Sequence, residues 1–391
     1  MALGLDFWQA GKPDRWHTGR QPLELPEYHM VAPLPLHRAD MQLAVVNQLR
    51  WYPGSISIDA HHITMEGWAL ALWDPQDQLR FLVNGVDFED LEWPLPSPDL
   101  LPLFEGVPHA EMSRFRCHHR RTEVLWPSEE KFVRFNVTTR LGEHAFSYRT
   151  AWYLADPARE APMPQGAQIE RVIGAPSAAA YRLGGASTVN RLDAYLRHRF
   201  DKSIASFDSV LDWGCGAGRL TRYLSALSDR VTGVDIDADN VAMCARSFPG
   251  ATFIPIERHP PTPFSADSFD LILGISVFTH LDETTQHAWL AELQRIVQPG
   301  GLLILTILGQ AQAHLYQSTL NDRLATSHQG ISVQGTNSQL SDVMDDPTYY
   351  VNVQHSHDYV MATWGAYFDI IEIVPALGCT QDAVVLRARP R

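Results

Sequence analysis

The amino-acid sequence predicts an α/β fold: a mostly parallel sheet covered by helices on both faces, preceded by a separate antiparallel β-domain. Three observations predict it. From about residue 180 onward, short apolar runs alternate with helical periodicity, the pattern of strands buried on both faces of a parallel sheet. The first 154 residues carry instead the period-two patterning of half-buried strands. Between them lies ADPAREAPMPQGA (155–167), with three prolines and a glycine, the composition of a boundary. The expected layout is a sandwich-like accessory domain over 1–155, a linker over 156–167 and an α/β domain over 168–391.

Each element follows from local chemistry. In the first half, ISIDAHHITMEGWALALW (56–73), LRFLVNGVDF (79–88), FVRFNVTTRL (132–141) and AFSYRTAWYL (145–154) are rich in β-branched and aromatic residues. Asn84-Gly85 is a hairpin turn signal. WPLPSPDLLPLFEGVP (93–108) carries too many prolines for regular structure and reads as an ordered loop.

In the second half, Ser187 is expected to cap a helix with Val189, Leu192 and Leu196 on one face. SVLDW (209–213) is a buried strand, and a helix begins near Gly218. RVTGVDI (230–236) is the next strand and ADNVAMCARSF (238–248) the next helix. FDLILGISV (269–277) is a longer strand. Asp282 caps a helix that stops before Pro299-Gly300-Gly301. LLILTIL (302–308) follows. FDIIEIV (368–374) and AVVLRAR (383–389) are close enough to pair antiparallel. The polar stretch at about 310–360 is an insertion, too long for a simple connection and suited to a binding element.

Composition bounds the function. The net charge of −14 argues against nucleic acid or anionic lipid as a bulk partner. The four cysteines (117, 215, 244 and 379) form no CxxC pair, so a reducing, cytoplasmic setting is expected rather than a disulfide framework or zinc site. No signal peptide is read at the N-terminus, and no apolar run approaches the ~20 residues of a membrane span.

VLDWGCGAGRL (210–220) places glycines 214, 216 and 218 at the carboxyl end of the first parallel strand, where ligands bind in open α/β sheets. The third glycine comes one position early for the dinucleotide fingerprint G-x-G-x-x-G, and no Gly-Lys-Ser/Thr of a P-loop follows. Asp212 would repel a pyrophosphate but accepts hydrogen bonds from an ammonium group. Asp235 lies 21 residues after Gly214, the offset at which a carboxylate meets ribose hydroxyls. A ligand with a ribose, an ammonium and a carboxylate, and no phosphate, describes S-adenosyl-L-methionine.

VLDWGCGAGRL, VTGVDID, SFDLILGISVFTHL and LQRIVQPGGLLILT, in order over roughly 180–391, resemble the successive motifs of class I S-adenosylmethionine-dependent methyltransferases. The resemblance implies a Rossmann-like seven-stranded sheet with a reversed last strand, and S-adenosyl-L-homocysteine as product. It implies that Asp212, Gly214, Cys215, Gly216 and Gly218 form the cofactor loop and that Asp235 binds the ribose. Ile236 would pack on the adenine, Ile256 and Glu257 would meet its edge, and Ser276 and Val277 would flank the methionine portion. Glu257-Arg258 stands where relatives often have an acidic residue before a small one. The FTHL segment and the tail resemble a subset acting on small molecules, among them bacterial surface glycans and secondary metabolites.

His280 leaves the fourth strand near where a methyl group would be presented, and its ordinary pKa near ~6.5 suits proton removal. Capping or a backbone contact is its structural alternative. His355 and His357, at the end of the insertion, are further catalytic candidates or solvated loop residues, and Tyr349 and Tyr350 are candidates to line the pocket. Tyr181 and Arg182 could close over the cofactor carboxylate or belong to a surface helix. Adjacent histidines in CHHRR (117–121) and DAHHIT (59–64) point to opposite strand faces and share no ion readily; no metal is expected. Trp51, Trp68, Trp73, Trp93 and Trp152 read as core or interface rather than a sugar platform. The function expected is methyl transfer to a hydroxyl, or an amine, of a small molecule. A non-catalytic binding protein and a protein or RNA methyltransferase are the alternatives. Oligomeric state is not encoded in these patterns.

Overall fold

The computed structural model describes residues 49–390, apart from 59–60, 72–78, 123–124, 126–131, 136, 142–143, 148–150, 155–160, 175, 310–311, 313–319, 337–348 and 379. Strands of the first half are β1 (Leu49–Ile58), β2 (His62–Ala71), β3 (Leu79–Val83), β4 (Val86–Asp87) and β5 (Asp90–Leu95). They continue with β6 (Arg114–Arg120), β7 (Phe132–Phe135), β8 (Val137–Leu141), β9 (His144–Ser147) and β10 (Ala151–Leu154). Antiparallel pairing gives one sheet of order β1-β2-β6-β5, a second of order β4-β3-β8-β9, and a β7–β10 pair. Alternate residues of both larger sheets, Ile63 and Met65 with Phe115, Phe81 and Val137, share one core, which is sandwich packing. Asn84 and Gly85 both take positive φ, 49° and 83°, as a two-residue hairpin turn requires.

The outward face of β6 is charged: Arg116 Nε lies 2.6 Å from Glu66 Oε1. His118 accompanies it there, with Nδ1 3.0 Å from Thr64 Oγ1, while His119 is buried on the other face. Trp51 and Trp93 pack against the sandwich core, and Trp68 meets Phe104 edge-on. Trp73 and the Trp152 side chain lie outside the described residues.

The second half contains α1 (Gly166–Ile173), α2 (Ala178–Phe200), β11 (Val210–Trp213), α3 (Thr221–Leu227), β12 (Val231–Asp235), α4 (Ala238–Ser247) and β13 (Thr252–Pro255). Then come β14 (Phe269–Gly274), α5 (Glu283–Ile296), β15 (Val297–Ile307), α6 (Leu320–Gln329), β16 (Ile331–Thr336) and β17 (Val351–His355). The chain closes with α7 (His357–Thr363), β18 (Asp369–Gly378) and β19 (Gln381–Arg387). Seven strands form a sheet of order β13-β12-β11-β14-β15-β19-β18. β19 runs antiparallel to both neighbours, so the last strand is reversed. Side chains alternate between two cores. Ile272 and Leu303 face α5 and α7 with Trp289 and Trp364; Leu271, Leu273 and Ile304 face α2 and α3 with Leu192 and Tyr223.

One helix start differs from the sequence reading. α2 is capped by Ser177, whose Oγ accepts from the Ala180 amide at 3.2 Å, and Ser187 lies mid-helix. Gly184-Gly185 looks like a break, but Gly185 is where α2 approaches the Arg219 backbone and Tyr223; a Cβ there would collide with both. Close helix packing, not a loop, explains Gly185. α1 begins inside the stretch read as linker, held by a reciprocal Gln165–Gln168 capping box. Within the insertion, β16 and β17 pair antiparallel.

Candidate functional site

β11 lies between β12 and β14, so the chain leaves it in one direction and returns on the other side. This is a topological switch point, and a cleft at its carboxyl end is the expected consequence. A cleft partly open to solvent sits there. Its walls come from the glycine loop (Gly214, Cys215, Gly216, Arg219), from Asp235 at the end of β12 and Ile236 after it, and from Ile256. Ser276, Val277 and His280 after β14, Trp289 of α5, Arg171 and Val172 of α1, and Tyr349 and Tyr350 of the insertion also line it.

The glycine loop needs its glycines. Gly214 has φ 78°, and a Cβ there would run into Val277; Gly218 has φ 80°, and a Cβ would meet Phe248 at 2.7 Å. The amides of Gly214 and Cys215 both donate to the Val234 carbonyl at 2.9 Å, locking the loop to β12. Asp235 completes the lock. Its Oδ2 accepts from the Gly216 amide at 2.7 Å and its Oδ1 from the Asp237 amide at 2.9 Å. Burial pushes its carboxyl above the usual carboxylate range against these two donors.

Asp212 stands beneath the loop, fully buried and outside the cavity wall. The Thr221 hydroxyl donates to Oδ2 at 2.5 Å. Oδ1 has no hydrogen-bond partner. Burial, only partly offset by Thr221 and Arg219, pushes its carboxyl up to about 6.

His280 ends the turn Phe278–His280 after β14. Its Nδ1 lies 3.0 Å from the Val351 carbonyl oxygen, and its ring stacks on Tyr350 at 4.2 Å and 22°. Burial holds its pKa down at about 4, so the ring is neutral near pH 7. Ser276 adopts φ 65°, a left-handed conformation that its surroundings must hold. They do so through Thr306, whose Oγ1 accepts from the Ser276 amide at 2.7 Å. Gln381 of β19 adds to this, accepting from the Ser276 hydroxyl at 3.0 Å. Tyr349 donates its hydroxyl to the Arg258 carbonyl, which also accepts from Trp289 Nε1 at 3.2 Å.

The cavity therefore gathers Gly214, Cys215, Gly216, Asp235, Ile236, Ile256, Ser276, Val277 and His280 from four separate segments. Gly218 and Glu257 do not line it, nor do the two remaining histidine candidates. His355 is 1% exposed and bonds through Nε2 to Gln286 Oε1 at 2.9 Å. Gln286 gives its amide hydrogens to the Phe278 and Leu281 carbonyls, so this pair ties β17 to α5. His357 Nε2 lies 2.8 Å from Asp382 Oδ2, on the β19 side. Tyr181 is buried, its hydroxyl donating to the Ala217 carbonyl at 2.8 Å, and Arg182 does not reach the cavity.

The cations on the wall are Arg171 and Arg219 instead. Arg219 was visible as the end of GCGAGR. Arg171 carries no local signal; α1 brings it in because Gln168 bonds Asn240 at 3.0 Å and Arg171 lies 3.4 Å from Asp237, both at the start of α4. Among the described residues, no group of three potential metal ligands assembles.

Residues 211–305 match a family model described as a methyltransferase domain. Ubiquinone biosynthesis O-methyltransferase of Rhodopseudomonas palustris (strain HaA2) is 30% identical over 104 residues, 26% of this chain and 40% of that protein. Malonyl-[acyl-carrier protein] O-methyltransferase of Salmonella typhimurium is 34% identical over 107 residues, 27% of this chain and 40% of that protein. The matched region thus spans two fifths of the length of these curated relatives. Among solved structures, the N-methyltransferase NodS from Bradyrhizobium japonicum WM9, in complex with S-adenosyl-L-homocysteine, aligns with a TM-score of 0.34 at 14% identity. That alignment covers 52% of this chain and 86% of that one.

Proposed function

We propose that this chain, which carries a methyltransferase domain over residues 211–305, transfers a methyl group from S-adenosyl-L-methionine to a hydroxyl of a small molecule. The observation that carries the proposal is one cavity holding a glycine loop, the Asp235 carboxylate and a neutral histidine. The residues fit the cofactor. Asp212, beneath the loop and outside the cavity wall, supports the loop from below through its bond to Thr221. The glycines leave the room a Cβ would fill. Asp235 retains lone pairs for ribose hydroxyls, Ile236 and Ile256 offer apolar walls for a base, and Arg171 and Arg219 offer charge to a carboxylate. When bound, the cofactor supplies an electrophilic methyl on a sulfonium, the carbon–sulfur bond breaking with its electron pair on sulfur.

The protein's share of the chemistry is alignment and one proton. Holding donor and acceptor in line accounts for most of the rate advantage of such a transfer. His280 is neutral and accepts the hydroxyl proton as the oxygen–carbon bond forms, a contribution of about 10²–10⁴-fold. A hydroxyl must give up its proton as the new bond forms, and a neutral histidine beside the cavity suits that acceptor. The net charge of −14 favours a small molecule over a polynucleotide. Among the described residues, no helix is long and apolar enough to cross a membrane.

Titration calorimetry of the full chain with S-adenosyl-L-homocysteine tests the proposal. Binding in the wild type and its loss in Asp235→Ala is the expected result; a wild type that binds neither cofactor nor product overturns it.

A further inference from the structure

We propose that Tyr350 and Val351, at the end of the insertion, are positioning residues that hold His280 in one ring orientation and one tautomer. The inference rests on the methyltransferase reading and assigns the insertion a share in it. A backbone carbonyl only accepts hydrogen bonds, so the 3.0 Å contact between Val351 O and His280 Nδ1 requires the ring proton on Nδ1. In the neutral ring this leaves Nε2 as the basic nitrogen. The Tyr350 ring, stacked 4.2 Å away at 22°, blocks rotation of the imidazole about its bond to Cβ. Both restraints come from consecutive residues 70 and 71 positions further along the chain (350 − 280 and 351 − 280). The base is therefore competent only when β17 is in place.

The surroundings agree. Asp235, Arg171 and Arg219 share the cavity with His280, but among the described residues no carboxylate is bonded to its ring, and the hydrogen-bond partner that raises its affinity for a proton is the Val351 carbonyl. Asp282, two residues on, is committed to capping α5, its Oδ1 accepting from the Thr285 amide at 2.7 Å. The Tyr350 hydroxyl is driven above its usual range by burial and stays neutral. The histidine is thus oriented by a peptide group and an aromatic face where many catalytic histidines use a carboxylate, and burial keeps its lone pair available through neutral pH.

The test reads the ring directly and needs no acceptor. Full-length protein carrying ¹⁵N-histidine, saturated with S-adenosyl-L-homocysteine, is titrated by NMR for the wild type, Tyr350→Phe, Tyr350→Leu and Tyr350→Ala, with His280→Gln assigning the resonance. The wild type and Tyr350→Phe are expected to show the Nδ1–H tautomer alone. In Tyr350→Leu, which keeps apolar bulk without the stack, the Nε2–H tautomer becomes detectable. In Tyr350→Ala the midpoint also rises by about one pH unit toward the ordinary value. Should Tyr350→Ala not fold, Tyr350→Leu carries the comparison. An unchanged tautomer and midpoint in the leucine and alanine variants overturns the inference. A wild type that fails to bind the homocysteine product overturns the methyltransferase reading instead, and the two failures are read from different signals.

Discussion

Asp235 Oδ2 lies 2.7 Å from the Gly216 amide nitrogen, so the carboxylate that ends β12 also holds the glycine loop that ends β11. One residue thereby serves the shape of the cavity and its polar wall. Asp235→Ala should weaken S-adenosyl-L-homocysteine binding by more than tenfold, about 1.4 kcal/mol or more. Asp235→Asn, keeping one acceptor oxygen, should fall between. Calorimetry gives both numbers, and wild-type affinity in the alanine variant would remove Asp235 from the binding site.

Asp212 predicts a trade between stability and binding. Its folded pKa of about 6 exceeds the unfolded value near ~3.8, so the folded state binds the proton more tightly. The contribution to stability is complete below ~pH 3.8 and lost as pH rises through about 6. Asp212→Asn should therefore gain on the wild type as pH rises from 4 to 7, then plateau, with a ceiling of ~3 kcal/mol. It should also bind S-adenosyl-L-homocysteine more weakly. Thermal melts across pH check the first part, calorimetry the second.

His280→Ala should lower turnover by about 10²–10⁴-fold once an acceptor is in hand, with affinity for S-adenosyl-L-homocysteine within twofold of wild type. Full activity would reduce His280 to a residue that ties β14 to β17.

His355 should behave in the opposite way. Buried against Gln286, with its pKa lowered to about 3, it must fold neutral. Its contribution is present above the unfolded value near ~6.5 and is lost as pH falls toward 3, at up to ~1.4 kcal/mol per pH unit. His355→Ala leaves a cavity and an unpaired Gln286 oxygen, a cost of ~2–4 kcal/mol. Cofactor affinity should hold. The melting temperature at pH 5 and 8, wild type against variant, measures the difference.

Where the second half can be cut follows from Arg222. Its guanidinium donates to the carbonyls of Ala161 and Pro162, while α2 lies against β10 and β1. A fragment beginning at residue 161 should fold and bind S-adenosyl-L-homocysteine. One beginning at 168 should melt lower, having lost the α1 capping box and both Arg222 contacts. Circular dichroism melts of the two fragments decide it, and equal stability would show that the 161–167 segment contributes nothing.

Features set by neighbours in the chain were legible. The VLDW strand, the glycines at 214 and 218 with their positive φ, and the Asp282 cap all depend on residues within a few positions. The reversed β19 followed from a short connection to β18. Local reading failed at Ser187, which lies mid-helix: Ser177 caps α2, and Gly185 permits the close approach of α2 to Arg219 and Tyr223. It placed His280 first but could not tell how His355 and His357 would be bonded. Their separate partners, Val351, Gln286 and Asp382, lie 71, 69 and 25 residues away.

The sequence by itself determined β11, β12, β14, β15, β18 and β19 with the helices α3, α4 and α5, and the glycine loop with a carboxylate 21 residues after its first glycine, because apolar periodicity and backbone sterics act over short spans. Tertiary structure decided which charged and aromatic side chains share the cavity. Arg171 arrives through contacts between α1 and α4, and Tyr350 through the pairing of the insertion with the turn after β14. Burial is a property of the packed chain, and burial sets His280 neutral, raises Asp212 and removes His355 from the site.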